Sequence, residues 1–352
     1  MKLFSLVLLF AVLFPGCGNK ETPKETSTST STSIEERSAS LAVFIPGVMA
    51  GSAIYEMLAE GTKKAAEEYG AQAAVIEGGF NQAEWENQIT TLAASGSYDL
   101  IVSSNPSIPV IVSSVSEKFP KQKFLLLDGE LEGNPGVYTL RYNQREQAFM
   151  AGYFAALLSL EASAATGSAA NMQAGTKKLG LVAAQEYPVM NDIILPGFLE
   201  GARAVDPAFS VDFRVVGNWF DAAKAAELAA GMIRGGVNVL LPVAGGAGHG
   251  VVQAAAEAGA KVVWFDTNGY AIRPGTVAGS AILRQDKAAY EKTMLYLEGK
   301  LPFGKAEVAG IKAGFVDFVE DDPLYISSVS PAVREEQAKL TAALRSGELI
   351  LE

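Results

Sequence analysis

Cysteine occurs once in the 352 residues, at Cys17, and histidine once, at His249. A lone cysteine excludes an internal disulfide, and one residue of each kind excludes a structural zinc site, which takes several Cys or His ligands. A Ser-His-Asp triad would have to use His249, and no nucleophile elbow of the G-x-S-x-G kind precedes a helix. No Walker A motif is present. Basic residues are also in short supply: 28 Lys and Arg stand against 39 Asp and Glu, a net charge of −11. That balance argues against nucleic acid as a partner, because phosphates need basic patches. No apolar run, that of residues 3–14 included, is long enough to span a bilayer as a stable helix.

The surroundings of Cys17 are informative. Lys2 is followed by an apolar run, residues 3–14, and then by Pro15, Gly16 and Cys17. After Cys17 the composition turns polar and rich in Thr and Ser as far as Ser33. A basic start, a short apolar core and a small residue before the cut make a secretory signal. The run is too short to span a bilayer as a stable helix. With cysteine first after the cut, the pattern resembles a bacterial lipoprotein box. The resemblance implies that residues 1–16 are a signal peptide and that the Cys17 thiol is acylated and anchors the chain to the cell membrane on its extracytoplasmic, periplasmic side. Each buried CH₂ of such a lipid contributes roughly 0.8 kcal/mol. Residues 17–40 hold too little apolar surface to offset their ordering entropy and are expected to form a flexible tether. About 310 residues remain, enough for two lobes with their own cores.

From Leu41 onward the pattern alternates strand and helix. Residues 41–46, 73–77, 99–104, 123–129 and 137–142 read as strands. Residues 52–69, 81–94 and the stretch near 109–118 read as helices. A long helix, 145–160, and an Ala/Ser/Gly-rich loop, 161–175, separate this array from a second one. There the strands are 178–184, 211–216, 237–243 and 261–266, with helices near 191–204, 221–234 and 248–258. The strand 277–283, a helix 287–298, the strand-like 314–319 and a last helix at about 331–346 follow. Continuous apolar runs suit strands buried on both faces of a parallel sheet. Two such arrays in series predict an α/β protein of two doubly wound lobes. Ligands of such sheets sit beyond the carboxyl ends of strands. The candidate pocket residues are therefore the strand exits: 46–55 with Met49 and Tyr55, 103–107 with Asn105, Asp128, 143–145 with Asn143 and Gln144, 185–191 with Tyr187, 218–221, 244–249 and 266–268.

Residues 243–251, VAGGAGHGV, follow a strand and open a helix. They could cradle a phosphate on helix amides, but they do not match G-x-G-x-x-G in register. The alternative is that the glycines serve a tight turn and close helix–strand packing.

Taken with VVWFDTN (262–268), FPKQKFLLLDG (119–129), PGFLEGARAVDP (196–207), NWFDAAKAAELA (218–229) and SGELIL (346–351), this stretch resembles the basic membrane protein, or PnrA-like, family of substrate-binding lipoproteins of ABC importers. The resemblance covers residues 41–351. It implies a periplasmic-binding-protein type I-like fold, with lobes joined by crossing strands and a ligand cleft between them. The expected division is 41–143 plus 268–312 for the first lobe and 144–267 plus 313–352 for the second. It also implies a receptor and not an enzyme, with no cofactor or metal of its own, served by separate permease and ATPase subunits.

The family's functional residues carry over singly. An Asp closing the strand before the second crossing binds ribose hydroxyls, and Asp266 occupies that place; a carboxylate can accept both hydrogen bonds of a diol. The aromatic that stacks on the base is matched by Phe220, with Trp219 beside it, and one of the two is expected to be core. The basic residue after strand 277–283 is Arg284, with a surface ion pair as the alternative role. The acidic first loop of the family's nucleoside receptors is missing: residues 46–55, PGVMAGSAIY, carry no charge. An uncharged wall with Met49 and Tyr55 suits a larger, flatter ring. Neutral amides of Asn105, Asn143 or Gln144 could pair with an imide edge, while Asp266 would hold a polyol. The chain thus resembles riboflavin-binding members of the family found among spirochaetes, with riboflavin as transported ligand. A purine-nucleoside receptor is the alternative within the family. A secreted hydrolase using Asp128, Glu186 and Asp266, or a sensor or adhesin without a transport partner, are alternatives outside it.

Overall fold

Apolar alternation within each strand places side chains on both faces of a sheet, so a strand apolar throughout must be covered twice. Strand β1 (Ser40–Ile45) shows this. Leu41, Val43 and Ile45 join one core cluster, while Ala42 and Phe44 join another on the opposite face. The computed structural model describes residues 38–165 and 177–351, all within one unit, Ser38–Glu352. The signal peptide, Cys17 and the tether up to residue 37 lie outside the described residues, as do residues 166–176 of the expected loop.

After β1 come α1 (Ala53–Tyr69), β2 (Gln72–Glu77), α2 (Trp85–Ser95), β3 (Leu100–Ser104), α3 (Ile108–Lys118), β4 (Lys123–Leu127) and β5 (Val137–Tyr142). The long α4 (Gln144–Ala165) leads to β6 (Lys178–Ala183), α5 (Leu195–Val205), β7 (Ser210–Val215), α6 (Ala222–Arg234), β8 (Val239–Val243), α7 (Gly248–Ala258), β9 (Lys261–Asp266) and β10 (Val277–Leu283). The chain ends with α8 (Gln285–Leu297), β11 (Ala306–Ala309), β12 (Val316–Phe318), α9 (Pro323–Ser328) and α10 (Pro331–Ser346). A π-helical turn, Met190–Ile194, precedes α5.

The strands form two six-stranded sheets of the same order, β11-β5-β4-β3-β1-β2 and β12-β10-β9-β8-β6-β7. Each β1–β5 strand therefore has a counterpart in β6–β10. Neighbours pair in parallel, as in Leu41 with Ala73 and Leu181 with Phe213, and β12 alone runs antiparallel, against β10. Connections cross between the lobes at Asn143, at Arg284 and through 310–315. Helix α4 enters the second lobe and packs on α5 and β10, while α8 returns to the first and packs on α1.

The second crossing differs from the sequence reading. Residues 277–283 were expected in the first lobe, but β10 pairs with β9, Ala281 opposite Phe265 and Ile282 opposite Asp266. An apolar strand covered on both faces can join either sheet, and here it completes the second before the chain crosses at Arg284. Helix α4 also runs on to Ala165, beyond the expected end at residue 160.

Candidate functional site

The carboxyl ends of both sheets carry an aspartate at equivalent places. Asp128 follows β4, and Asp266 ends β9, the counterpart of β4. Their φ angles are 55° and 72°, and among the described residues no other non-glycine residue has a positive φ. The left-handed conformation is uncommon for side chains with a Cβ, though Asp tolerates it better than most. It turns the chain sharply at the strand end, and both side chains are half-buried.

Burial raises both carboxyls. Asp128 is pushed up from its ordinary 3.8 to about 8, first by desolvation, then by the nearby Asp266 charge, against the pull of Arg141. Asp266 rises to about 6, also by desolvation, and is held lower than Asp128 by a hydrogen bond from Gln147. Gln147 Nε2, on α4, donates to Asp266 Oδ1 at 3.1 Å and to the Ala281 carbonyl at 3.0 Å. The hydroxyls of Tyr142 and Tyr187 are kept protonated by burial and by the charges of both aspartates. Two carboxyls and two phenols, drawn from both lobes, thus share one electrostatic environment.

The first-lobe wall is tied together by neutral groups. Tyr55 Oη donates to the Pro46 carbonyl at 3.0 Å, and Asn105 Nδ2 donates to Tyr55 Oη at 3.4 Å. Asn105 Oδ1 accepts from the Ser107 amide at 2.9 Å, which fixes the amide plane. Burial pushes the Tyr55 hydroxyl up to about 12. Met49 is half-buried, and its amide donates to Glu77 Oε1 at 2.9 Å. The loop has no charge of its own, but a carboxylate at the end of β2 supports it.

The second-lobe wall is aromatic. Trp219 Nε1 donates to Gln185 Oε1 at 3.1 Å, and its ring lies 6.2 Å from that of Tyr187 at 41°. Gly245, with φ 54°, sits under the indole: a Cβ there would come within 3.3 Å of the ring. At Gly250 a Cβ would run into the Ala222 carbonyl, so this glycine lets α7 close against α6. Gly245 thus serves the tight turn and Gly248, whose Cβ would come within 3.2 Å of Trp264 and 3.4 Å of Pro242, the helix–strand packing weighed as the alternative role, while Gly250 packs helix on helix. Phe220 points elsewhere, to a ring contact with Phe80 of the first lobe at 5.7 Å. Contrary to expectation, neither Trp219 nor Phe220 is core: they are 37% and 63% exposed.

The residues at the crossings divide. Asn143 Oδ1 accepts from the Glu146 amide at 3.3 Å, and the Asn143 amide donates to Ala309 O at 2.9 Å, so this residue stitches the first crossing to the third. Glu146 adds a second stitch by accepting from the Ile311 amide at 2.8 Å. Gln144 is buried. Arg284 is exposed, and its guanidinium forms a bidentate pair with Asp286 at 3.2 and 3.1 Å. The inward residue is the next one: Gln285 is fully buried, accepts from Tyr142 Oη at 2.7 Å and donates to Ser104 Oγ at 2.6 Å. His249 is exposed on α7 with its ring 5.5 Å from that of Trp264. Among the described residues, no group of three or more His, Cys, Asp and Glu could hold a metal.

Sequence reasoning did not select Gln147, Gln285 or Phe80, and it named Asp128 only as a strand exit and in the hydrolase alternative. Asp128 had a signal: FLLLDG and VVWFDTN each close an apolar strand on Asp, and aligning the two arrays puts them together. Chemically, the arrangement can stack a flat ring on Trp219 and Tyr187 and exchange hydrogen bonds with hydroxyls at the aspartates.

Residues 38–349 match the family described as Bmp, ABC transporter substrate-binding protein PnrA-like. Basic membrane protein D of Borreliella burgdorferi is 28% identical over 55% of this chain and 53% of its own length. The ABC transporter nucleoside-binding protein BmpA of Lactococcus lactis is 27% identical over 45% of this chain and 40% of its own length. The chain thus spans about half the length of these curated relatives. An ABC transporter solute-binding protein of Aeropyrum pernix superposes with a TM-score of 0.77 at 24% identity, over 89% of this chain and 93% of the other, which shows the two-lobed fold.

Proposed function

Because this chain belongs to the PnrA-like family of ABC transporter substrate-binding proteins, we propose that its cleft receives riboflavin and delivers it to a separate permease and ATPase. The observation that carries this reading is the pairing of an aromatic second-lobe wall, Trp219 beside Tyr187, with half-buried carboxyls from both lobes, Asp128 and Asp266. The ring stacks on the wall and gains roughly 0.5–1.5 kcal/mol per aromatic contact beyond area burial. The ribityl hydroxyls donate to ionised Asp266. Asp128, protonated near neutral pH, donates a hydrogen bond to a ring carbonyl. Asn105 completes the imide edge. Closure about the stitched crossings at Asn143, Arg284 and 310–315 encloses the ligand. No step makes or breaks a covalent bond. Cys17 moors the body to the membrane through its lipid, outside the cytoplasm. Among the described residues no helix is long and apolar enough to cross a membrane.

A purine nucleoside is the second reading, and one observation favours it. Asp128 supplies a first-lobe acid although the loop 46–55 has none, and the Lactococcus relative is named for nucleoside binding. Titrating riboflavin and following quenching of its fluorescence, beside calorimetry with inosine, guanosine and adenosine, separates the two. Saturable quenching at micromolar protein with no nucleoside heat is the expected outcome. Nucleoside heat without quenching would replace the first reading by the second.

A further inference from the structure

Phe80 and Phe220 are among the most exposed large apolar residues described, at 68% and 63%. Each nevertheless has a partner: their ring centroids are 5.7 Å apart at 53°. Phe80 follows β2 and Phe220 follows β7, the counterpart strands at the same edge of the two sheets. The contact therefore runs between lobes.

Both rings stand on fixed platforms. The Gly78 amide donates to Ile45 O and the Gly79 amide to Gly47 O, while Trp85 Nε1 and Gln88 Nε2 hold the Gly79 and Gly78 carbonyls. Opposite, Asn218 Oδ1 accepts from the amides of Phe220 and Asp221 at 3.0 and 2.7 Å, and Asp221 caps α6 through the Lys224 amide. The backbones are pinned within each lobe, and the rings project from them to meet outside either core.

Their position gives the contact leverage. The crossings leave from β5, β10 and β11, at one end of the strand order, and β2 and β7 lie at the other end. Four to five inter-strand steps put the ring pair about 19–24 Å from the crossings. A rotation of about 20° over that arm separates the rings by about 7–8 Å, which removes all contact between them.

We propose that Phe80 and Phe220 form an interlobe latch at the rim of the cleft, which favours the closed arrangement and slows ligand escape without stacking on the ligand. The latch depends on the two-lobed hinge and not on which ligand is bound. Its test has two arms, on Phe80→Ala, Phe220→Ala, the double variant and Phe80→Tyr. In the first, small-angle scattering of the ligand-free protein reads lobe separation. The latch requires a larger radius of gyration in each Ala variant, no further increase in the double variant, and the wild-type value in Phe80→Tyr. In the second, stopped-flow release of riboflavin is followed by its fluorescence. The two single variants and the double variant should speed release by a common factor of roughly 2 to 10, with the residual fluorescence of bound flavin unchanged. Unchanged scattering in all variants would overturn the proposal, whether or not riboflavin binds. A bound-flavin fluorescence altered by Phe80→Ala would also overturn it, by making Phe80 a stacking surface. Absence of riboflavin binding alone would count against the ligand reading and leave the scattering arm to decide the latch.

Discussion

Asp128 and Asp266 end equivalent strands of the two lobes in the same left-handed conformation, yet their surroundings differ. Asp266 receives a hydrogen bond from Gln147, carried across on α4. Asp128 has no such direct donor among the hydrogen bonds described; it feels Arg141 only through space, and Arg141 is itself paired with Glu130 at 3.0 Å. The duplicated backbone puts a carboxyl at the carboxyl end of each sheet, and the crossing helix then makes the two unlike. One is the better acceptor and the other holds its proton nearer neutrality. The walls diverge likewise: neutral hydrogen bonds around Tyr55 on one side, an indole backed by glycine on the other.

The largest expected effect sharpens this difference. Asp266→Asn should weaken riboflavin binding about 100-fold, because charge-assisted hydrogen bonds contribute roughly 1.5–3 kcal/mol each. Asp128→Asn should cost about 10-fold or less at pH 7, since an amide preserves a donor. Equal losses, measured by fluorescence titration, would erase the proposed asymmetry.

Stability against pH sharpens it in a second way. Both carboxyls have folded-state pKa values above the ordinary 3.8, so the folded protein binds more protons than the unfolded one. Stability therefore falls as pH rises, between about 4 and 8 for Asp128 and between about 4 and 6 for Asp266. Asp128→Asn is expected to stabilise the ligand-free protein by about 2–3 kcal/mol at pH 8.5, after discounting for residual solvent contact, and to have little effect at pH 4. Thermal melts across that range would show the gain appearing only as pH rises.

The walls come next. Trp219→Ala should reduce riboflavin affinity roughly 10-fold and weaken the quenching of the bound flavin. Tyr55→Phe removes only the hydroxyl that links Pro46 and Asn105 and should cost about 1 kcal/mol of stability. The smallest effect is expected at Arg284. Its bond to Asp286 is an exposed pair, so Arg284→Ala should change stability by under about 1 kcal/mol and leave affinity within twofold. A large loss of affinity there would restore Arg284 to the ligand.

The doubled βα pattern was legible because buried parallel strands are apolar along their length, and β5, β9, β10, α7 and α10 fall at the expected residues. The partner of β10 was not legible, since parallel pairing depends on tertiary placement. Strand β11, AEVA, lacks an apolar run because it lies at a sheet edge. Residues 161–165 read as loop from their small side chains, although Glu161 and the alanines suit a helix, and α4 continues through them. At the candidate site, Asp266 and the aromatic pair were named from the resemblance alone. Which ring of Trp219 and Phe220 turns inward is set by Gln185, Gly245 and Phe80, all distant in sequence. The pairing of Arg284 with Asp286, two residues on, was weighed as an alternative, but the inward Gln285 beside it left no pattern to read.

The most direct measurement compares riboflavin with lumiflavin, the same ring without the hydroxyl chain, on the wild type and on Asp266→Asn. If the wall reads the ring and the aspartate reads the chain, the wild type binds riboflavin more tightly by about 10- to 100-fold, and the substitution brings both ligands to similar affinity. Equal binding of the two by the wild type, or a preference that survives Asp266→Asn, would contradict the account.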